Sequence, residues 1–387
     1  MEEIVTEISV RLPVKSLLRF KSVCKAWRSI INDPVFVRAH LLHSASKWEQ
    51  NQCFIISPHT LDRVIPGEPW PTTFSNHFCF YQWQLHGTSP DNNVATFLDA
   101  KHFRRQFNTL RYFTHCDGLL FAPTNTRLYI CNPATRDAIT LPDSCRNNLQ
   151  EGGRTCCYCA GLGLDPRTGK YKVVQAFYRS VDPDTRMGTN MGMEVFTVAG
   201  DNGSSWREIS NDPPYPAKRF QTALAVCGFM FWRLAERRLE HALHGILHLS
   251  LEEEEFDITG LPDDLGPDDD FMLDVLHGRD LCLTACNSDK TLLNMWTLPI
   301  ADEGLNTLWV WRYSIRFSGL CHTLSLPPFS NGIFLLKANT IYWFELATSE
   351  LKILCELHRM RYQRAHKWKN LFTFNVKPFT ESLIRII

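Results

Sequence analysis

Three glycines set the frame for most of this chain. Gly228, Gly278 and Gly332 each open a short apolar run, and they stand 50 and 54 residues apart. After Gly228 come apolar runs at 229–232 and 246–249, then 256–258, then Leu261-Pro262. After Gly332 come 341–344, a turn at Thr348-Ser349, and 351–354. Gly278 opens a unit that runs through 281–284 and 292–298 and closes at Leu298-Pro299. Gly118 follows the same grammar earlier, with 128–131, a turn at 132–136, and 138–141.

A period near fifty residues with several strands per unit is the mark of a kelch-type β-propeller, in which each blade buries its faces on its neighbours. A two-sheet sandwich fits the strand content but does not require the repeat. Further runs at 171–177, 194–198 and 223–227 are rich in Val, Phe and Tyr and end on turn residues. No long helical pattern interleaves them, which argues against a parallel α/β sheet.

Residues 1–46 are different. Ile4, Ile8 and Leu12 are spaced by four and form one stripe of a short helix. Pro13 stops that helix and suits the start of a second one carrying Val14, Leu17, Leu18 and Phe20. Val23, Trp27, Ile30 and Ile31 mark a third helix. Asn32 or Asp33 is placed to cap a fourth, with Pro34 at its first position and Val37 and Leu41 inward. The fold class expected is therefore α+β multidomain, with a small all-α unit over 1–46 and an all-β propeller-like domain over 47–387. So small a helical unit does not stabilise itself, so it packs on the propeller or offers an apolar face to a partner.

Composition narrows the function. Lys plus Arg and Asp plus Glu both number 41, so the formal net charge is zero, without the basic excess of a nucleic-acid coat. Eleven acids and no Lys or Arg lie between 250 and 274, and the run Glu252–Glu255 there reads as a solvated turn. No apolar leader precedes the charged residues Glu2, Glu3 and Glu7, and no uninterrupted apolar stretch spans a membrane. Fourteen cysteines then read as reduced thiols, and the protein is expected in the cytosol or nucleus.

Catalytic and metal signatures are weak. Cys145, Cys156, Cys157 and Cys159 lack a second close pair at zinc spacing, and Cys282 and Cys286 are too loosely separated. His241, His244 and His248 sit at a strand entry and alternate faces rather than converging. Gly161-Leu-Gly163 lacks a third glycine and a following helix, and 203–206 lacks the strand–Ser–helix context of a nucleophile. Trp232, Trp296, Trp309, Trp311 and Trp343 read as blade core rather than a binding platform. No cofactor is expected.

The run from Glu3 to Leu41 resembles an F-box of the plant type. The block from Arg11 to Phe20, then Val23 to Arg28, then Asp33-Pro34-Val35-Phe36, follows that family's pattern nearly position by position. The later part resembles the F-box-associated region of the same proteins. It carries Cys116-Asp117-Gly118-Leu119-Leu120, Asn132-Pro133-Ala134-Thr135-Arg136, the stretch 161–174 and Glu381-Ser382-Leu383, in family order. On their own chemistry these later motifs look structural, as turns and hairpin loops.

The resemblance implies a substrate-recognition subunit of an SCF-type (Skp–cullin–F-box) ubiquitin ligase. It implies that Leu12, Pro13, Val14, Leu17, Leu18, Val23, Cys24, Trp27, Ile30 and Ile31 contact the Skp-family adaptor, and that an unidentified target protein sits on the propeller. Two departures weaken adaptor contact. The chain starts inside the first helix, without the family's preceding Leu-Pro pair, and Ser9 stands where Leu is common. A propeller that binds a small molecule or glycan, with the helices merely packed on it, is the alternative, and a propeller enzyme a third. Open Leu12, Val14, Leu17 and Trp27 side chains would favour the first reading, and covered ones the others.

Overall fold

A computed structural model of the chain describes residues 2–49, 52–63, 73–85, 94–103, 113–148, 159–181, 188–198, 205–218, 221–235, 245–266, 269–276, 278–287, 289–301, 304–305, 308–326, 332–365 and 368–386. Four helices come first: α1 (Glu2–Ser9), α2 (Val14–Phe20), α3 (Lys25–Asn32) and α4 (Pro34–Ser46). Their boundaries follow the local chemistry. Pro13 ends the first turn region and is the N-cap of α2. The Cys24 thiol accepts from the Trp27 N–H at the start of α3. The Asp33 carboxylate accepts from Val35 N at 2.7 Å and Phe36 N at 3.3 Å, with Pro34 in the first turn of α4.

The strands form six sheets arranged as six blades of a propeller. The second blade is the simplest, running Thr114–Cys116, Leu119–Pro123, Leu128–Asn132 and Asp137–Thr140 from the channel outward. The third, fourth, fifth and sixth begin with inner strands Ala160–Leu164, Leu224–Val226, Phe271–Leu276 and His322–Ser325. The first blade is composite. Its inner strand is Leu371–Pro378, hydrogen-bonded to Cys53–Arg63, which continues to His77–Gln84 and Val94–His102. Phe54 faces Pro378 in this register, so the two ends of the β domain close the ring together.

Three of the four recurring glycines mark the same place in their blades. Gly118, Gly228 and Gly278 all sit in the turn from the innermost to the second strand, each with positive φ. Gly332 departs from this, since it is the first residue of its second strand rather than a turn. Gly118 also needs its missing side chain, because a Cβ there would lie 2.6 Å from the Thr380 carbonyl oxygen.

Apolar runs rather than alternating strands result from burial on both faces. Leu119 and Phe121 point to a core shared with the third blade, and Leu120 and Ala122 to a core shared with the first. Similar cores join the third to the fourth blade, the fourth to the fifth, and the fifth to the sixth. The first blade's core is the most aromatic and reaches both neighbours, with Phe54 against Trp83 at 5.6 Å and Phe334 at 5.8 Å between ring centroids. Trp232 and Trp296 are core, as their pattern suggests, and Trp343 packs on Phe334. Trp309 donates to the Gly260 carbonyl at 2.7 Å. Trp311 departs from the expectation, at 56% exposure on an outer strand of the fifth blade.

Two shielded histidines, His59 buried and His115 half-buried, give the fold a pH dependence. Burial holds His59 at a pKa of about 4, and burial with nearby Lys377 holds His115 at about 4. Each imidazole takes a proton near 6.5 when unfolded. Below pH 6.5 the unfolded chain therefore binds more protons, and stability falls until the folded values are reached. Each histidine should remove roughly 1.4 kcal/mol per pH unit between about 6 and 4. Urea denaturation at pH 7.5 and 5.5 should differ by about 2–3 kcal/mol, with equal stabilities at the two values ruling the account out.

Candidate functional site

The helices stand over one mouth of the central channel, at the end where innermost and second strands join. Two surfaces come together there: an outward face of the helices and an inward seam against the propeller. The seam is built from Val14, Leu17, Ile31 and Phe36, all buried, with Leu383 from the end of the chain among them. Leu41 is buried alongside. Val10, Leu12, Leu18, Phe20, Ile30, Val37 and Ala134 are partly buried against this core.

The segment 379–386 clasps the two units. The Glu381 carboxylate accepts from the Val14 N–H at 3.2 Å, so the start of α2, which Pro13 leaves without a side-chain cap, is capped by a residue 367 positions away. Burial raises the Glu381 pKa, while the Val14 N–H, Gln82 and Lys15 oppose the rise. On the propeller side, Asn132 donates to the carbonyls of Ser382 at 3.1 Å and Ile384 at 2.9 Å. Its own oxygen accepts from Ala134 N and Thr135 N, which fixes the turn 132–136. Phe379 and Ile386 enter the blade cores on either side.

A second tie lies at the channel mouth. Arg38 of α4 is 3.7 Å from the Asp117 carboxylate, and the Tyr171 hydroxyl donates to that carboxylate at 2.8 Å. Burial raises the Asp117 pKa, opposed by Tyr171 and Arg38. On α4, His40 donates through Nε2 to the Leu12 carbonyl at 2.9 Å and holds the turn after α1. The motifs 116–120, 132–136 and 381–383 therefore act together. They build turns, as their chemistry says, and they also hold the helices on the ring. Sequence spacing of over 250 residues hides that convergence.

The residues implied for adaptor contact separate by burial. Val14, Leu17 and Ile31 are buried in the seam, and Leu12, Leu18, Trp27 and Ile30 are half-buried. Of the four side chains expected open for an adaptor, Val14 and Leu17 are instead covered by the packing on Leu383, and Leu12 and Trp27 are only partly open. Trp27 packs edge-on against Phe20, ring centroids 5.0 Å apart. Pro13, Val23 and Cys24 are exposed. Two residues outside that set join them, since Ile4 and Ile8 on α1 are 65% and 59% exposed, beside Val23 at 62%. Of the stripe Ile4, Ile8 and Leu12 expected from the spacing, Ile4 and Ile8 lie on α1 and face outward, whereas Leu12 lies beyond the helix end at Ser9 and packs on the seam. The spacing showed the stripe but not its direction.

Elsewhere the candidate chemistry is absorbed by packing. His248 is buried between Phe229 and Phe231, its Nδ1 3.1 Å from the Thr259 hydroxyl. His241, His244, Cys156, Cys157, Gly203 and Ser204 lie outside the described residues. Cys145 is exposed, Cys159 is buried, and neither is in a disulfide. Among the described residues no three His, Cys, Asp or Glu side chains come together as metal ligands do. The acidic turn is not wholly solvated. Glu254 turns inward, accepting from Lys172 at 2.8 Å and from Arg207 Nη1 at 2.7 Å, while Lys172 also meets Asp165 at 2.9 Å. This network, buried at Lys172 and Asp165 and open at Arg207, fastens the third blade to the fourth. No helix among the described residues is long and apolar enough to cross a membrane.

Known proteins carry the same two units. The family model described as F-box associated beta propeller domain matches residues 72–311. The chain belongs to that family. The F-box domain model matches residues 2–38 of this F-box-associated propeller, the segment that forms α1 to α3 and the start of α4. Among relatives, the F-box protein At2g21930 of Arabidopsis thaliana is 29% identical, covering 78% of this chain and 69% of its own. The F-box protein CPR1 of the same plant is 25% identical and covers 91% and 83%. Among solved structures, a chain of a nidogen/laminin complex aligns with 85% of this chain and 99% of itself, at 11% identity and a TM-score of 0.41. A likeness at that level adds nothing to the assignment.

Proposed function

We propose that this F-box-associated propeller is the target-recognition subunit of an SCF-type ubiquitin ligase. The outward face of the helices docks a Skp-family adaptor and, through it, a cullin. The propeller holds a target protein. The chain performs no bond chemistry in this reading, and its contribution is proximity, which raises the target's effective concentration at the conjugating enzyme.

The observation that carries the reading is that the helices leave Ile4, Ile8, Pro13, Val23 and Cys24 exposed, with Leu12, Leu18 and Trp27 half-buried. So many open apolar side chains in one short helical unit are what a docked partner would cover. Val14, Leu17 and Ile31 then act behind the interface by seating the helices. The clasp matters for the same function, because a target is presented at a fixed place only when adaptor and propeller keep a fixed relation. The helices occupy one end of the ring, which leaves the opposite end for the target.

The test is binding of the whole chain to a purified Skp-family adaptor. An Ile8→Asp, Val23→Asp variant changes two exposed side chains and should keep its circular dichroism. Burial of each apolar side chain is worth roughly 1.5–3 kcal/mol, so the pair should weaken binding at least a hundredfold. Absence of binding by the unmodified chain would sink the ligase reading. Equal binding by the variant would move the interface elsewhere.

A further inference from the structure

Between the helices and the ring lies a cavity of 1220 Å³, bordered by Leu383 and Ile384 of the clasp and by the Arg38–Asp117 tie but left open between them. Its roof is formed by α3 and α4, with Ile31, Pro34, Val37 and Leu41, together with Leu383 and Ile384. Its floor is the channel mouth, where Leu164, Val226, Phe229 and Val275 present apolar surface. The volume is somewhat above the roughly 300–1,000 Å³ of an ordinary small-molecule site and far above a packing void.

The charges around it are unbalanced. Lys21, Arg38, Lys170 and Arg385 line the space against Asp117 and Glu252. Arg38 is matched by Asp117. Lys21, Lys170 and Arg385 have no ion-pair partner among the described residues. Lys21 and Arg385 act on each other as like charges: burial first, then Arg385 and Arg28, lower the Lys21 pKa, and only Asp137 opposes them. Cations held together beside an apolar floor repel one another until an anion joins them.

We propose that this cavity binds a small amphipathic anion, its apolar body on the channel mouth and its acidic group between Lys21 and Arg385. The ligand touches helices and propeller at once, so it ties them together. The site is independent of the adaptor-docking face, and its test does not involve an adaptor.

The probe is 8-anilinonaphthalene-1-sulfonate, an apolar body with one anionic group, with N-phenyl-1-naphthylamine as its uncharged counterpart. Fluorescence titration of the whole chain should saturate at one sulfonate probe per chain, and the uncharged counterpart should bind at least tenfold more weakly. A Lys21→Gln, Arg385→Gln variant should lose at least tenfold for the sulfonate and leave the uncharged probe unchanged. Arg385→Gln alone, at an exposed position, gives the same direction if the double variant folds poorly. Unsaturable binding, equal affinity for the two probes, or no response to Arg385→Gln would each overturn the proposal and leave a solvent-filled space.

Discussion

Replacing Asp274 by Ala should destabilise the propeller by about 3–5 kcal/mol, the usual cost of breaking a buried ion pair from one side. Asp274 is buried on the inner strand of the fifth blade and reaches two other blades. Its carboxylate lies 3.0 Å from His322 Nδ1 and accepts from Thr323 N at 3.0 Å, both on the sixth blade. It also lies 3.3 Å from Lys377 Nζ on the strand that closes the first blade. Burial alone would raise its pKa, but His322 and Lys377 hold it below the usual carboxylate range. The variant leaves Lys377 shielded and unmatched, and strips the Thr323 N–H of its acceptor.

A second substitution separates this cause from simple loss of packing. In Asp274→Ala, Lys377→Met the orphaned charge is gone, so more than half of the lost stability should return. Urea denaturation of the parent, Asp274→Ala, Lys377→Met and the double variant gives the coupling. A single variant within 1 kcal/mol of the parent, or a double variant no better than the single, would show that this cluster does not close the ring.

Replacing Leu383 by Asp should release the helices while leaving the ring folded. Leu383 is buried among Val14, Leu17, Ile31 and Phe36, and truncating a buried leucine already costs about 2–5 kcal/mol. A carboxylate there adds an unpaired charge to the seam. Four helices in about 45 residues do not hold together alone, so detachment and unfolding coincide. The helical signal at 222 nm should largely vanish, the propeller's thermal transition should stay within a few degrees, and brief protease treatment should leave a helix-free propeller. Loss of both transitions together would mean that the clasp supports the ring as well.

How much of this was legible depends on the range of the interaction. Asp33-Pro34 announced the start of α4, and Gly118, Gly228 and Gly278 announced blades, because caps and tight turns are decided within a few residues. Burial on both faces also showed, as apolar runs such as 246–249. The partner of Cys53–Arg63 did not show: it is Leu371–Pro378, over 300 residues away, and strand pairing carries no local signal of its partner. Blade number was hidden for a related reason, since an inner strand as short as Thr114–Cys116 has no period to read. The outward turn of Ile4 and Ile8, and the seating of Val14 and Leu17 in a seam, depend on Leu383 and Glu381. No window along the first fifty residues contains them. Glu254 reads as one of four equivalent acids until the fold brings Lys172 and Arg207 to it.

The clasp also imposes an order in time. During synthesis residues 1–46 emerge well ahead of Glu381 and Leu383, which seat them. At about 5–20 residues per second, more than 360 residues take roughly 20–70 s, during which the helices have no ring to rest on. A chain interrupted anywhere in the blades lacks both the closing strand and the residues that order the helices. Ribosome-bound chains halted at residue 370 should therefore fail to hold a Skp-family adaptor, and full-length chains held by an added linker should retain it. Adaptor capture by the halted chains would show that the helices order themselves without the clasp.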